Sequence, residues 1–241
     1  MSVHTSRTMM LEELSLVLAK VPVNARNRDY LDAITEQNIL GKPTRTTRDR
    51  TAKRLTELYT LDLSCPIFRS FRRYWDSDQT ARSMLAFLGA AARDPLLRET
   101  TPFVLGVPAG EGVAPEPIAR YLGEKYPQRF GESTAIATAQ RLASTWTQAG
   151  FLRGKARKKR TRPRVTPVVL TFAIGLGLMC GLRGKLLLQS RWAELLDRTP
   201  GELQDLAFEA STQGWMNYKS AGEVVEITLP GNGVWGGEVR L

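Results

Sequence analysis

Residues 133–164 read STAIATAQRLASTWTQAGFLRGKARKKRTRPR, and this stretch decides the fold predicted for the second half of the chain. Its first part has apolar residues at spacings of three and four, which predicts an amphipathic helix over about 133–149. These residues are Ile136, Ala139, Leu142, Ala143 and Trp146. Gly150 is typical of a helix end. The segment that follows has apolar ends and a basic centre, which predicts a hairpin with a basic tip.

A shorter helix precedes the long one. The sequence predicts it over about 116–126, and the turn from Pro127 to Gly131 separates the two helices. Helix, turn, longer helix and basic hairpin is the order of a winged helix, whose wing lies against phosphates. The basic run also suits a disordered electrostatic arm or a nuclear-import-like sequence. Each interpretation gives the run an anionic partner.

Positive charge is concentrated in residues 153–164, which we call the basic strip. The chain has 34 Lys and Arg against 24 Asp and Glu, a net charge of +10. Eight cations and no acid lie in the strip, and outside it 26 basic residues face 24 acidic ones. The eight are Arg153, Lys155, Arg157, Lys158, Lys159, Arg160, Arg162 and Arg164. A local excess of this kind indicates a docking site for a polyanion such as nucleic acid.

The N-terminal part predicts three helices, over about 8–21, 27–38 and 47–60. Gly41 and Pro43 lie in the turn before the third helix, which carries a basic face. Two helices, a tight turn and a basic helix are typical of a helix-turn-helix, so these cations are a second candidate contact. They are Arg45, Arg48, Arg50, Lys53 and Arg54. A solvated helix face rich in Arg is an equally good interpretation.

Four further segments shape the fold prediction. Residues 68–75 alternate aromatic residues with Arg, which favours the edge of an apolar core over a base-stacking surface. Residues 165–180 are almost wholly apolar but shorter than the roughly 20 residues that a membrane span needs, so they predict a buried helix. Residues 199–202, Thr-Pro-Gly-Glu, have the capping-box pattern of a helix start, and two strands are expected over 215–229.

The sequence therefore predicts a mainly helical fold with two domains, each with a helix-turn-helix or winged-helix-like module and a short β-hairpin wing. The Gly- and Pro-rich segment 106–117, GVPAGEGVAPEP, is typical of a domain boundary. We accordingly expect an N-terminal helical domain over 1–106. A C-terminal winged-helix-like domain over 107–241 would contain the basic strip.

Residues for catalysis are sparse. His4, the single histidine, lies near a terminus that we expect to fray, so no His-based dyad or zinc site is expected on ordered structure. Cys65 and Cys180 have apolar neighbours and are expected to be buried free thiols. No phosphate-cradling Gly-rich motif is present, and the acidic residues are scattered. We therefore expect a protein that is not an enzyme and uses no cofactor or metal.

The N-terminal residues lack the apolar core of a secretory signal, so we expect a cytoplasmic protein that does not associate with membranes. Reduced cysteines would suit that compartment. The oligomeric state is not predictable from these patterns.

Four segments resemble the BrxA family of bacterial BREX phage-exclusion systems. They are residues 33–59 (AITEQNILGKPTRTTRDRTAKRLTELY), 133–152 (STAIATAQRLASTWTQAGFL), 182–196 (LRGKLLLQSRWAELL) and 214–229 (GWMNYKSAGEVVEITL). The resemblance spans roughly residues 8–230. It implies a cytoplasmic protein that binds duplex DNA and acts in phage defence beside a methyltransferase, an ATPase and other components of the system. It implies no catalytic residues, and it does not say which surface binds DNA.

Three other functions fit the same residues. A sequence-specific transcriptional repressor would prefer one operator to random duplex. A protein scaffold would dock partners through its Trp and Tyr surfaces and use the basic strip only for electrostatic guidance. An RNA-binding module would prefer single strands or A-form duplex. Composition alone does not rank DNA above RNA, whereas the resemblance does.

Overall fold

A computed structural model describes residues 2–222 and 224–230 of the chain. The helices are α1 (Leu11–Lys20), α2 (Asn27–Thr35), α3 (Arg45–Tyr59), α4 (Pro66–Trp75), α5 (Arg82–Arg93), α6 (Pro95–Glu99), α7 (Thr101–Leu105), α8 (Glu116–Lys125), α9 (Glu132–Gln148), α10 (Pro167–Met179), α11 (Arg191–Glu194) and α12 (Pro200–Thr212). Short 3-10 helices cover Val3–Thr5, Gln79–Ala81 and Gly184–Leu187. The strands are β1 (Gly112–Val113), β2 (Leu152–Arg153), β3 (Lys158–Arg160), β4 (Asn217–Ala221) and β5 (Val224–Thr228). The predicted mainly helical class with short antiparallel strands is confirmed.

The chain forms two compact units, each built from two separate stretches. Residues 2–61 and 93–163 make the first unit, and residues 62–92 and 164–230 make the second. The boundary expected after residue 106 falls inside the first unit. Segment 106–117 was expected to be a linker, but it contains β1, which pairs antiparallel with β3 through Gly112 and Val113. Strand pairing therefore holds this Gly- and Pro-rich segment within the first unit.

Local sequence signals place the helix ends. The Thr44 side chain accepts a hydrogen bond from Thr47 N at the start of α3, which satisfies one of the amides left open at a helix N-terminus. At the start of α12, Thr199 and Glu202 form the predicted capping box. The predicted strands at 215–229 are present as the antiparallel pair β4 and β5.

A buried polar network fixes the N-terminal segment of the first unit. His4 Nδ1 donates to Asp94 Oδ2 (2.8 Å), and His4 Nε2 lies 3.0 Å from Thr145 Oγ1 on α9. Ser2 Oγ also donates to Asp94 Oδ2 (2.7 Å), and Met9 N donates to Thr145 Oγ1 (3.0 Å). His4 and Thr145 are fully buried. The expectation that His4 lies on a frayed terminus is therefore wrong, because its ring bridges the carboxylate and α9.

Helix α10 forms the centre of the second unit. Its residues are buried along almost the whole length, as predicted for the apolar segment 165–180. The predicted aromatic core edge is also present: Phe71 and Tyr74 of α4 make edge contacts with Phe172 of α10, at 6.0 and 6.3 Å between ring centroids. Within residues 2–222 and 224–230, no helix has both the length and the apolar character to cross a membrane.

Both cysteines lie in the second unit and are more exposed than expected. Cys65 is half-buried at the start of α4, and Cys180 is exposed just after α10. Cys180 Sγ accepts a hydrogen bond from Trp192 Nε1 at 3.4 Å. The apolar neighbours of Cys180 in the sequence point into the core, whereas Cys180 itself lies at the helix end. The expectation of two buried thiols is therefore wrong.

The His4–Asp94 network predicts acid sensitivity. Burial raises the pKa of the Asp94 carboxyl, but hydrogen bonds from His4, Ser2 and the Leu96 amide outweigh it and hold the pKa at about 2. This lowered pKa contributes stability above the unfolded value of about 4, and the contribution disappears as the pH falls toward 2. The contribution amounts to about 2 kcal/mol.

Urea unfolding of the wild type and of Asp94→Asn at several pH values measures this contribution. The wild type will be more stable at pH 6, and the difference will shrink by about 2 kcal/mol at pH 2. A difference independent of pH would contradict this role.

Candidate nucleic-acid interface

Helix α9 is held firmly in the first unit by one side of its surface. Ala135, Ala139, Leu142 and Trp146 are buried there. Trp146 Nε1 donates to Thr100 Oγ1 (2.9 Å), and its ring meets Phe151 edge to face at 4.7 Å. Because this large aromatic side chain is packed and hydrogen-bonded at once, the helix has a defined orientation.

A stripe of small or polar residues runs along another side of α9. It consists of Ser133, Ala137, Gln140 and Ser144, at spacings of four, three and four residues, all exposed or half-buried. No carboxylate interrupts the stripe, and its side chains are short. A nucleic acid could approach this stripe closely and find hydroxyl and amide groups for hydrogen bonds.

The hairpin of β2 and β3 lies beside the same helix, with residues 154–157 as its loop. Gly154 has φ of +105°, and a Cβ there would lie 2.3 Å from Arg157 O, so the tight turn requires glycine. The loop residues Lys155 and Arg157 are exposed, as are Arg153 and Lys159 on the strands. None of these four cations has an ion-pair partner among the residues that the structure describes.

A cleft of about 230 Å³ separates the loop from α9. Gln140 and Ser144 line it on the helix side, and Lys155 and Lys158 line it on the hairpin side. Lys158 is half-buried, and its Nζ donates to Thr147 Oγ1 on α9 (2.9 Å). Burial lowers the pKa of Lys158. Lys158 therefore joins the hairpin to the helix, while Lys155 is open to a ligand.

Arg160 differs from the other cations of the basic strip. It was expected to contact phosphate, but only 3% of the residue is exposed. Its Nε donates to Val104 O (2.9 Å), and its Nη1 donates to the carbonyl oxygens of Phe151 and Thr161. The guanidinium also lies 5.5 Å from the centre of the Phe151 ring. The physical reason is strand alternation: residue 159 points outward and residue 160 inward.

The end of the basic strip is exposed. Arg162 lies in the first unit and Arg164 begins the second. The contiguous strip in the sequence is thus divided: it holds exposed cations, a half-buried lysine, a buried arginine and one residue that belongs to the second unit.

The five cations predicted at α3 also separate into different kinds: ion-paired, half-buried, and exposed without an ion pair. Arg45 pairs with Glu36 (2.7 Å) and Asp49 (3.0 Å), and Arg54 pairs with Glu57 (2.6 Å). Arg48 is half-buried. Arg50 and Lys53 are exposed, with no ion-pair partner among the described residues. Only these last two have their charge fully available to an anion.

Residues that the prediction did not name as contacts complete the site. Gln140 and Ser144 lie on the polar side of α9. The loop beside them marks them as candidate contacts, and the sequence does not show that proximity. Two other polar residues of α9 are occupied. Arg141 Nη1 donates to Thr5 O (2.8 Å), and Gln148 Nε2 donates to Thr8 Oγ1 (3.3 Å).

No model of a known protein family matches the chain, and no curated protein matches it significantly. Among the described residues, no group of three or more His, Cys, Asp or Glu side chains is arranged to hold a metal ion.

The two kinds of arginine in the hairpin predict opposite effects of the same substitution. Arg160→Met removes the donors of buried carbonyl groups and should destabilise the protein by about 2–4 kcal/mol. Arg157→Met changes an exposed side chain and should alter stability by less than about 0.5 kcal/mol. Urea unfolding at neutral pH measures both values. Equal effects of the two substitutions would show that the Arg160 hydrogen bonds do not hold the hairpin.

Proposed function

We propose that this chain is a non-enzymatic protein that binds double-stranded DNA through α9 and the hairpin loop. One observation carries the proposal: a carboxylate-free polar stripe on α9 lies next to a cleft and a loop with unpaired cations. Polar helix residues suit base edges in a groove, and the cations suit the flanking phosphates.

The arrangement of the first unit supports a winged helix. The elements follow the order β1, α8, α9, β2 and β3, and the sheet order is β1-β3-β2. In a winged helix of this order, the second helix of the helix-turn-helix enters the major groove. Here that helix is α9, and the wing is the loop 154–157. The stripe and the wing would then contact the same stretch of duplex.

Exposed cations supply the proposed phosphate contacts. Arg153, Lys155, Arg157 and Lys159 form the main set, and Arg50 and Lys53 of α3 form a second set. Lys158 and Arg160 are not among the proposed phosphate contacts, because they hold the hairpin in place. Each neutralised phosphate contributes about 0.9 to the slope of log affinity against log salt concentration. Four contacts therefore give a slope of about −3.6.

The width of the nucleic-acid major groove favours DNA over RNA as the ligand of α9. B-form DNA admits an α-helix to its major groove, whereas the major groove of A-form RNA is too narrow for side-chain reading. Gln140 is the member of the stripe with an amide that can pair with adenine in two hydrogen bonds. A single such residue gives modest sequence preference, so we expect binding dominated by the DNA backbone.

The proposal that the chain is not an enzyme rests on the burial of its histidine. Thr145, His4 and Asp94 have the residue types and hydrogen bonds of a nucleophile, base and acid. However, 0% of Thr145, 0% of His4 and 2% of Asp94 are exposed, so no substrate reaches the hydroxyl. Their role in this proposal is structural.

From the resemblance of the four segments to BrxA, we propose that this DNA binding serves a bacterial phage-defence system in the cytoplasm, with other BREX proteins as partners. This part of the proposal rests on the resemblance. Its direct test is the loss of phage exclusion when a BREX system carries a variant of this chain that folds but no longer binds DNA.

Substitution of the wing cations should weaken DNA binding without unfolding the protein. The variant has Arg153, Lys155, Arg157 and Lys159 changed to Gln, and the probe is a fluorescent random-sequence duplex titrated at several salt concentrations. We expect at least tenfold weaker binding near 0.1 M salt, with a log–log slope that moves toward zero by about 3 to 4. The control variant, Arg45→Gln with Arg54→Gln, removes two cations that carboxylates already neutralise, and should bind nearly as the wild type does.

Three results would contradict the proposal. A wild type that does not bind duplex at low salt would favour the protein scaffold. A preference of more than about 1,000-fold for one duplex would favour a sequence-specific repressor. Tighter binding of single-stranded or A-form RNA than of B-form DNA would favour the RNA-binding module.

The second set of cations is tested in the same assay. Arg50→Gln with Lys53→Gln should reduce the magnitude of the salt slope by about 1 to 2, because both side chains are exposed and unpaired. The same slope in this variant and the wild type would remove α3 from the interface.

A further inference from the structure

A second concave surface lies between α8 and the N-terminal half of α9, next to the cleft beside the wing along the same helix. The groove has a volume of about 520 Å³. Its floor is apolar and includes Phe130, Ala135 and Ile136, with Ala119 and Gly123 of α8 on the opposite wall. A Cβ at Gly123 would meet no atom within 4 Å, so the wall is open space and not a packed contact. The groove has room for additional side chains.

Glutamates surround this groove. Glu116 and Glu124 of α8 and Glu132 of α9 line it, together with Arg120. All four are exposed, and none of the three carboxylates has an ion-pair partner among the described residues. On a chain with a net charge of +10, this acidic rim repels DNA and attracts a cationic segment.

We propose that the groove binds the loop 154–157 of a second copy of this chain. The loop is a tight turn at Gly154, and its exposed Lys155 and Arg157 flank the small Ala156. Long cationic side chains pack their apolar stems on apolar surface and direct their charged ends to polar groups. The stems would lie on Phe130 and Ile136, and the charged ends would meet the glutamates.

The positions of loop and groove make the contact intermolecular. The groove lies at the N-terminal end of α9, where Ala135 and Ile136 line it together with α8, and the loop lies about one turn farther along, at Gln140 and Ser144. The hydrogen bond from Lys158 Nζ to Thr147 Oγ1 holds the hairpin there, over the cleft of its own copy and not in the groove. Each copy therefore offers one loop and one groove. Two copies can exchange loops reciprocally in a closed dimer, or copies can join head to tail. Either way, a loop bound in a groove is unavailable to DNA.

Charge sets the conditions for this association. Exposed ion pairs are individually weak, so we expect dissociation constants in the micromolar range or above. The net charge of +10 repels a second copy over long distances. At about 0.1 M salt the screening length is about 10 Å, which weakens the long-range repulsion more than the contact between paired charges.

A charge swap tests the proposal by sedimentation velocity without DNA, at about 0.1 M salt. The groove variant is Glu116→Lys, Glu124→Lys and Glu132→Lys, and the loop variant is Lys155→Glu with Arg157→Glu. The wild-type sedimentation coefficient should rise with concentration, and each variant alone should stay monomeric. An equimolar mixture of the two should associate again, because the acidic loop of one fits the basic groove of the other.

Circular dichroism checks that each variant folds. If the Lys variant unfolds, Glu→Gln at the same positions should give the same loss of association.

The proposal is overturned by a monomeric wild type, by association that survives either set of substitutions, or by a mixture that stays monomeric. If the wild type is monomeric, the acidic groove would instead bind a basic segment of another protein. These outcomes are independent of the DNA titration, which uses protein concentrations far below those of the sedimentation experiment.

Discussion

The buried guanidinium of Arg160 is the interaction on which the candidate interface depends. It donates to carbonyl groups of Val104, Phe151 and Thr161, and so connects α7 to the residues that precede β2 and follow β3. The strands themselves are only two and three residues long, and such a short ladder has little stability of its own. The position of the loop relative to α9 therefore rests on a side chain, together with the hydrogen bond from Lys158 to Thr147.

The His4 network has a corresponding role for α9. Thr145 accepts from Met9 N and contacts His4, and Asp94 receives hydrogen bonds from the same N-terminal segment. Residues 136 and 141 positions apart in the sequence are thus joined within the first unit. Arg141 and Gln148 extend this attachment along one side of the helix. That side of α9 is therefore occupied, whereas the stripe from Ser133 to Ser144 lies on another side, which the proposed DNA contact uses.

The sequence predicts the helices and the hairpins well, because each depends on local patterns. The spacing of apolar residues in 133–149 and the capping box at Thr199 are complete within a few residues. Residues that depend on distant partners were predicted wrongly. His4 acquires its position from Asp94 and Thr145, and β1 acquires its strand conformation from β3. The sequence also predicts that the basic strip binds an anion. It does not predict that strand alternation exposes Lys159 and buries Arg160.

Charge is distributed unequally about α9, and this limits how a duplex can approach. Unpaired lysines and arginines of the wing lie beside the C-terminal half of α9, whereas Glu116, Glu124 and Glu132 lie at its N-terminal end and on α8. A duplex centred on the polar stripe would place one phosphate backbone on the wing and would bring the other toward the glutamates. In the proposed complex, repulsion between phosphates and these carboxylates would displace the duplex toward the wing, because like charges repel most strongly at short range. The acidic rim would thus set the end of α9 at which the duplex lies, since it opposes any position of the DNA close to α8.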